Sequence, residues 1–452
     1  MSAAIGTTAA EAATGMRLAL AEGPGTRDLV FDGHGRIPLE VFLAEVRGVA
    51  AGLPDAACAV NLCEDRYRFL VAFCAAAVRG MTTLLPPSRT PAAIDDVLRQ
   101  YPDSVCVSDV RLSPAPPRLH ALPERLPRVA GEMPGVAAGA VALVAFTSGS
   151  TGTPKANPKT WAALRISNAQ NAEALRHLWP ARGVLPLVAT VPPQHMYGME
   201  LSVLLPLLTP ASVHGGRPFF PDDVARAVGT AVDPPLLVTT PVHLRALVES
   251  GVALPPLAGI VTATAPLPQS LAAAAEQRFA CEVRELFGST ETCVIAARRT
   301  AREDAWQCLP GVRLQPQPDG TLVHAAHLPA PIALADLVEL GPEGRFTLCG
   351  RQADLLEIAG KRASLGDLTR RLQTIPGVID GVVLQLDPCE VTGVRRIGAL
   401  AVAPGLDEAA ILAALRESVD PIFLPRKLRL VDALPRNDTG KLPRAELLRL
   451  LA

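Results

Sequence analysis

Apolar residues recur at helical spacing between Ile37 and Leu53, at Leu39, Phe42, Val46, Val49 and Leu53, which predicts an amphipathic helix. Tyr67 to Val78 is apolar on nearly every face and predicts a second helix, mostly buried. Gly80 to Pro86 reads as a short strand running into a turn, and Ala92–Tyr101 as another helix. Arg111 to Gly135 is Pro-rich and is expected to be a loop crossing towards Val141 to Ala145, an apolar run with the length of a buried strand. A helix is predicted from Trp161 to Leu178, then strands over Pro186–Pro192, Leu236–Pro241 and Gly259–Ala265. A strand pair around a Pro-Glu-Gly turn precedes Cys349, and a final helix follows Arg444. Helices alternating with short apolar strands indicate an α/β architecture with largely parallel sheets. The stretch from Arg351 to Ala452 is long enough for a small domain of its own.

Composition narrows the class. The 452 residues are 49% hydrophobic, ample for a large core and two or three domains. Basic and acidic residues nearly balance, 43 against 44, which argues against nucleic acid or an anionic membrane as the main partner. Nine cysteines are dispersed without a Cys-x-x-Cys pair or a metal-like Cys/His cluster, as expected of free thiols in a reducing compartment. The Ala-rich start, Met1 to Gly23, lacks the basic head and apolar core of a secretory signal. The longest apolar runs fall short of the ~20 residues that span a bilayer. The expectation is a cytoplasmic protein without membrane insertion.

The richest chemistry lies in Phe146-Thr-Ser-Gly-Ser-Thr-Gly-Thr-Pro-Lys155. Thr147, Ser148, Ser150, Thr151 and Thr153 put five hydroxyls into one short loop, and Gly149 and Gly152 let main-chain N–H groups approach a ligand. Lys155 adds positive charge. The set suits the triphosphate of ATP. It is not a Walker loop, because Lys155 follows Pro154 and precedes Ala156. Alone it could also be a solvated Ser/Thr/Gly turn. Two later stretches change that balance. Pro193-Gln-His-Met-Tyr-Gly198 follows a strand, where α/β sheets bind ligands, and Glu285-Leu-Phe-Gly-Ser-Thr-Glu291 offers hydroxyls and a carboxylate to phosphate and a magnesium ion.

Together with Asp336, Gly350-Arg351 and Pro435-Arg-Asn-Asp-Thr-Gly-Lys441, these stretches resemble, in order, the motifs of the adenylate-forming superfamily. That superfamily holds acyl- and aryl-CoA synthetases, peptide-synthetase adenylation domains and firefly luciferase, and the resemblance runs from about residue 30 to the end. It implies an N-terminal ATP- and acid-binding domain (residues 1–350) and a small mobile α+β C-terminal domain (residues 351–452) carrying a catalytic lysine. It implies a two-step reaction, in which a carboxylate attacks the α-phosphorus of MgATP and a thiol of CoA or a carrier-protein pantetheine arm then displaces AMP. By this resemblance Thr147, Ser148, Gly149, Ser150, Thr151, Gly152 and Lys155 form the phosphate loop, with Thr151 and Lys155 on the β/γ-phosphates. Phe287, Gly288 and Ser289 belong to the adenine turn, Thr290 meets the α-phosphate and Glu291 the magnesium. Asp336 and Arg351 hold the ribose, and Lys441 bridges developing negative charge and the carboxylate.

The acid pocket follows by the same matching. His195 falls on the family's aromatic gate. The next position, an Asp in amino-acid-activating domains, is Met196, so a buried α-ammonium would lack its counter-ion. The implied substrate is an aryl or acyl acid without an α-amino group. His-Met-Tyr-Gly resembles the 4-coumarate and acyl-CoA ligase pattern, with Tyr197 available to a phenol or acyl chain and Gly198 beside it. Pro241, Val242 and Leu244, with Thr262, Ala263, Thr264 and Ala265, line the rest. Three departures stand out. The family's double Gly before Ala265-Pro266 is Ala263-Thr264, the hinge position is Ala353 with Asp354 beside it, and the lysine after the hinge is Glu357, although Gly360, on the pantetheine path, is kept. Short members with a similar Pro-Lys-Thr-Trp occur among ligases of aryl-polyene and xanthomonadin-type pigment pathways, which this chain also resembles. The alternative is a catalytically silent nucleotide-binding or regulatory homologue, against which Lys441, Glu291 and Thr290 count.

Overall fold

The first half of the chain is organised on the helix Arg66–Val78, whose Phe69, Leu70, Val71, Phe73, Cys74, Ala75 and Ala76 are all fully buried. A helix apolar all round must be covered all round. It packs on the strands Cys58–Asn61 and Thr82–Leu85 of one sheet. Its first residue, Arg66, donates to the carbonyls of Ala189 and Val191 at the end of a strand of the other. Each large apolar side chain buried here contributes about 1.5–3 kcal/mol. The structure is a computed structural model, and it describes residues 16–147, 154–180, 183–318, 320–351, 355–358, 361–386, 396–437 and 442–452.

The first sheet has six strands in the order Lys155–Thr160, Val141–Thr147, Thr82–Leu85, Cys58–Asn61, Ser104–Ser108, Leu119–Ala121. All neighbours are parallel except the first pair. The second sheet has eleven strands. Six are mutually parallel: Val283–Ser289, Gly259–Thr262, Leu236–Thr239, Leu185–Ala189, Ala211–His214 and Asp28–Asp32. Beyond Val283–Ser289 it continues antiparallel through Cys293–Arg298, Trp306–Cys308, Arg345–Arg351 and Asp336–Leu340. The α/β class and the mostly parallel sheets agree with the sequence reading.

Several local expectations need correction. The Pro-rich stretch contributes an edge strand, Leu119–Ala121, because its main chain can pair along one side of Ser104–Ser108. The helix after the phosphate motif ends at Ala174, not Leu178. Arg176–Leu178 form a separate tight turn, with Leu175 and Leu178 buried by tertiary packing rather than by helical continuity. Before that helix, Lys155–Thr160 is a strand.

The C-terminal stretch has a three-stranded sheet, Asp380–Gln385 antiparallel to Ile397–Val402 and that strand parallel to Lys427–Leu430. Leu365, Leu368 and Leu372 of one helix and Ile411 and Leu415 of another cluster with Ala399 and Leu428. Leu447 and Leu451 of the last helix cluster with Leu384 and Leu400. Among the described residues, no helix is long and apolar enough to cross a membrane, and eight cysteines are unpaired.

Candidate active site

The Val141–Thr147 strand stops where the hydroxyl-rich stretch begins, and the chain returns antiparallel as Lys155–Thr160. Thr147 and Lys155 are register partners, so they are the two posts of a hairpin. The candidate phosphate ligands between them, Ser148, Gly149, Ser150, Thr151 and Gly152, lie outside the described residues. Successive side chains alternate across a strand, which sets Lys155, Asn157 and Lys159 on one face. Lys155 is exposed. Asn157 Nδ2 donates to the carbonyls of Ala145 and Lys155, at 3.2 and 3.1 Å. Lys159 is only 7% exposed, and its Nζ donates to the main-chain carbonyl of Glu291. That bond ties the hairpin of the first sheet to a turn of the second.

The turn lies between the antiparallel strands Val283–Ser289 and Cys293–Arg298. Ser289 N donates to Thr292 Oγ1 at 3.1 Å, and Thr292 N to Ser289 Oγ at 3.2 Å. Thr292 Oγ1 donates to the Cys293 carbonyl at 2.9 Å, and His327 Nε2 to the Thr292 carbonyl at 2.7 Å. A Cβ at residue 288 would sit 2.1 Å from the Cys293 oxygen, so the position demands Gly288. Phe287 packs against Trp306 and Phe346, at 5.4 and 6.1 Å between ring centroids. The main chain is thus fixed from several sides, while Thr290 and Glu291 remain half-exposed at its tip.

A magnesium ion, which sheds water reluctantly, is usually held by one or two carboxylates plus substrate phosphates. Among the described residues no group of three or more His, Cys, Asp or Glu could hold a metal unaided. Glu291 supplies one carboxylate on a turn joined to the phosphate-loop hairpin, a donor set that fits an ion arriving with a polyphosphate.

Behind the turn sits a buried polar cluster that the sequence reading missed. Glu200 is 2% exposed, and its Oε1 accepts from Ser167 Oγ at 2.8 Å, Asn171 Nδ2 at 3.0 Å and Val294 N at 3.2 Å. Burial pushes its carboxyl above the ordinary range, while those hydrogen bonds and the Lys159 charge act the other way. A period-two alternation in Lys155-Ala-Asn157-Pro-Lys159 was the available signal for Lys159.

The acid-site candidates gather at the carboxyl ends of adjacent parallel strands. After Leu185–Ala189 the chain turns at Pro192, and His195, half-buried, begins the helical turn Met196–Met199, its carbonyl accepting from Met199 N at 2.8 Å. A Cβ at residue 198 would lie 2.0 Å from the Pro192 oxygen, so Gly198 is required by close approach of main chain. Met196 is buried. Tyr197 donates its hydroxyl to the Val261 carbonyl at 2.9 Å, and burial holds its phenol well above the usual value. Its hydroxyl hydrogen is thus committed to main chain.

After Leu236–Thr239, Thr240 caps the helix Pro241–Glu249, which carries half-buried Val242 and buried Leu244. After Gly259–Thr262 come Ala263, Thr264 and Ala265, and Thr264 has φ +82°. Thr262 is fully buried. At the same strand ends, Thr190 Oγ1 meets Thr239 Oγ1 at 3.0 Å and His243 Nδ1 at 2.8 Å, a network that sequence reasoning did not single out.

Asp336 is the register partner of Arg351 across a hairpin, and its carbonyl accepts from Thr321 Oγ1 at 2.6 Å. Ala353, Asp354, Gly360 and Lys441 lie outside the described residues. Glu357 stands opposite Arg362 in a two-stranded ladder.

Comparison with known proteins adds to this geometry. The family described as AMP-binding enzyme matches residues 42–323. A 4-coumarate–CoA ligase of Rhodobacter capsulatus is 32% identical over 299 residues, 65% of this chain and 73% of its own. A sulfoacetate–CoA ligase of Cupriavidus necator is 27% identical over 404 residues, 79% of this chain and 76% of its own. Among solved structures, ATP-bound MatB from Rhodopseudomonas palustris shares the fold, with a TM-score of 0.80 at 18% identity over 95% of this chain and 96% of that one.

Proposed function

The chain belongs to the AMP-binding enzyme family, and on that premise we propose that it is an AMP-forming acid–thiol ligase. It activates a carboxylic acid with ATP as an acyl-adenylate and passes the acyl group to the thiol of CoA or of a carrier-protein pantetheine. The observation that carries this reading is the convergence of strand ends. His195, Val242, Thr262–Ala265 and the Thr290–Glu291 turn follow successive strands of one sheet, and Lys159 binds that turn to the hairpin bearing the phosphate-loop motif.

In the first half-reaction the acid carboxylate attacks the α-phosphorus, its P–O bond to the β-phosphate breaks, and pyrophosphate leaves. Such chemistry asks the protein for alignment and charge compensation. Thr151 and Lys155 hold the β/γ-phosphates, Thr290 the α-phosphate, and Asp336 and Arg351 the ribose. Glu291 holds Mg2+, which supplies charge neutralisation on the phosphates when bound. His195 closes on the carboxylate. Lys441, carried by residues 351–452 as a separately moving domain, reaches the site for adenylation. Buried Met196 supports an aryl or acyl acid, since it offers an α-ammonium no counter-charge. The cytoplasm, which supplies both ATP and reduced thiols, is the proposed compartment.

The test is ATP–pyrophosphate exchange over benzoates, cinnamates, fatty acids and amino acids, then thiol-acceptor trials on the acid found. Exchange with an acid lacking an α-amino group, and thioester with CoA or holo carrier protein, is expected. No exchange with any acid despite ATP binding would favour a silent nucleotide-binding protein.

A further inference from the structure

The geometry points to Lys159 as a positioning residue for adenylation, one that holds the Ser289–Cys293 turn so that Thr290 and Glu291 meet the nucleotide. The inference rests on the ligase reading given above and concerns a residue outside the set proposed to touch substrate.

Lys159 is an unusual lysine. Burying an ammonium is costly unless it is hydrogen-bonded and its charge balanced. Here the hydrogen bond goes to the carbonyl of Glu291, 132 residues away in sequence. Glu200 is buried in the same surroundings, and the two side chains act on each other and, with opposite sign, on Cys293. Glu200 Oε1 in turn accepts from Val294 N, just beyond the turn. The two side chains therefore hold the turn at its tip and just past its end, Lys159 at residue 291 and Glu200 at residue 294.

The other ties along the turn, from Ser289, Thr292 and His327, satisfy residues 289, 292 and 293. Lys159 is the tie from the phosphate-loop hairpin. It joins the hairpin directly to the Thr290–Glu291 turn, on top of the packed core that the two sheets share, and so sets the register of these two elements at the site itself. Misplacement of a catalytic group by about 1 Å can cost roughly 100-fold in rate. A bond that registers two phosphate-binding elements against each other is where such a loss would arise.

The test compares wild type with Lys159→Met, which keeps the aliphatic stem and removes the donor and charge. Pyrophosphate-exchange kcat is expected to fall by about 100-fold, with a raised Mg2+ requirement and little change in KM for the acid. Two readouts do not depend on turnover. Hydrogen exchange at the amides of residues 289–292 should speed up, and the calorimetric gain in ATP affinity on adding Mg2+ should shrink.

If the single variant does not fold, Lys159→Met combined with Glu200→Gln removes both buried charges and should fold. The same losses in the double variant support positioning. Wild-type exchange protection and Mg2+ response in either variant overturn it, and would mean that Lys159 only neutralises Glu200. Should wild type exchange pyrophosphate with no acid, the ligase reading fails, while the hydrogen-exchange arm still decides whether Lys159 holds the turn.

Discussion

Asp336 and Arg351 stand directly opposite each other at the open end of an antiparallel hairpin, with residues 342–344 forming its turn. Fifteen positions apart along the chain, they are neighbours across one ladder, so the proposed ribose site is a single local unit. A carboxylate accepting from a ribose hydroxyl is a charge-assisted bond worth about 1.5–3 kcal/mol. Asp336→Asn should therefore raise the KM for ATP by roughly 10–100-fold while changing kcat little, since ground and transition states share the contact. The variant should also stop discriminating ATP from its 2′- and 3′-deoxy analogues. Retained discrimination would remove Asp336 from the ribose site.

Gly198 leaves no room for a side chain, because its Cβ position lies 2.0 Å from the oxygen of Pro192. Main chain cannot swing aside as a side-chain end can. Gly198→Ala should push the Pro192–His195 segment outward and cost about 1–3 kcal/mol of stability. The KM for the acid should rise more than the KM for ATP, because the displaced segment carries His195. Thermal unfolding and paired KM measurements check both halves. Equal rises in the two constants would place the acid elsewhere.

Thr264 adopts φ +82°, a conformation glycine takes freely and a β-branched residue resists. Strain of this kind costs about 1–3 kcal/mol. Glycine returns part of that gain through the greater entropy of the unfolded chain, about 0.5–1 kcal/mol. Thr264→Gly is thus expected to release about 1 kcal/mol of net backbone strain, set against the threonine's own bond, and to widen the site towards bulkier rings. A lower melting temperature would show that the threonine side chain holds the segment by more than its strain costs.

Glu291 is half-exposed at the tip of a turn whose main chain is tied down through other groups. Glu291→Ala should leave the melting temperature within the ordinary range of surface substitutions, about 0.5 kcal/mol. Adenylation should fall steeply and recover in part at high Mg2+. Wild-type turnover at limiting Mg2+ would make the residue structural only.

What could be read from sequence was whatever announces itself locally. Apolar runs that end in Gly, Ser and Thr gave both the strands and the positions of the phosphate and adenine motifs, since a buried strand and the loop at its carboxyl end are adjacent in the chain. Lys155–Thr160 escaped notice because Asn157, Pro158 and Lys159 are poor strand formers. The strand is tolerated as the outermost of its sheet, where Pro158 forfeits no ladder bond to a further neighbour. The alternation of Lys155, Asn157 and Lys159 signalled at most the strand, and the partners of Lys159 and Glu200 were illegible for a different reason. A lysine beside a proline reads as a solvated side chain, and only the fold brings the Glu291 carbonyl and the Glu200 carboxylate to it. Thr264 fell between the two. The sequence displayed the odd residue, and the positive φ supplies the physical reason a glycine would be at ease there.

The last prediction concerns Lys441, which the ligase reading needs and which belongs to the stretch beyond Arg351. The C-terminal helices and strands cluster into cores built from residues 365–451 among the described residues, and the ligase reading makes this stretch a unit that turns. The ligase reading proposed above brings Lys441 to the α-phosphate in one orientation of that unit and withdraws it in another. Its ammonium would meet charge that develops as pyrophosphate leaves, an interaction made mostly in the transition state. Its loss should therefore lower kcat for exchange more than it raises KM. The second half-reaction draws on a thiolate and a preformed adenylate, and needs no cation at that point. Lys441→Ala should accordingly abolish pyrophosphate exchange while thioester formation from a synthetic acyl-adenylate continues at near the wild-type rate. Equal loss of both half-reactions in a folded variant would deny the lysine a role in one step alone. Undiminished exchange would remove it from the chemistry and, with it, the proposal that the C-terminal stretch closes on the site to form the adenylate.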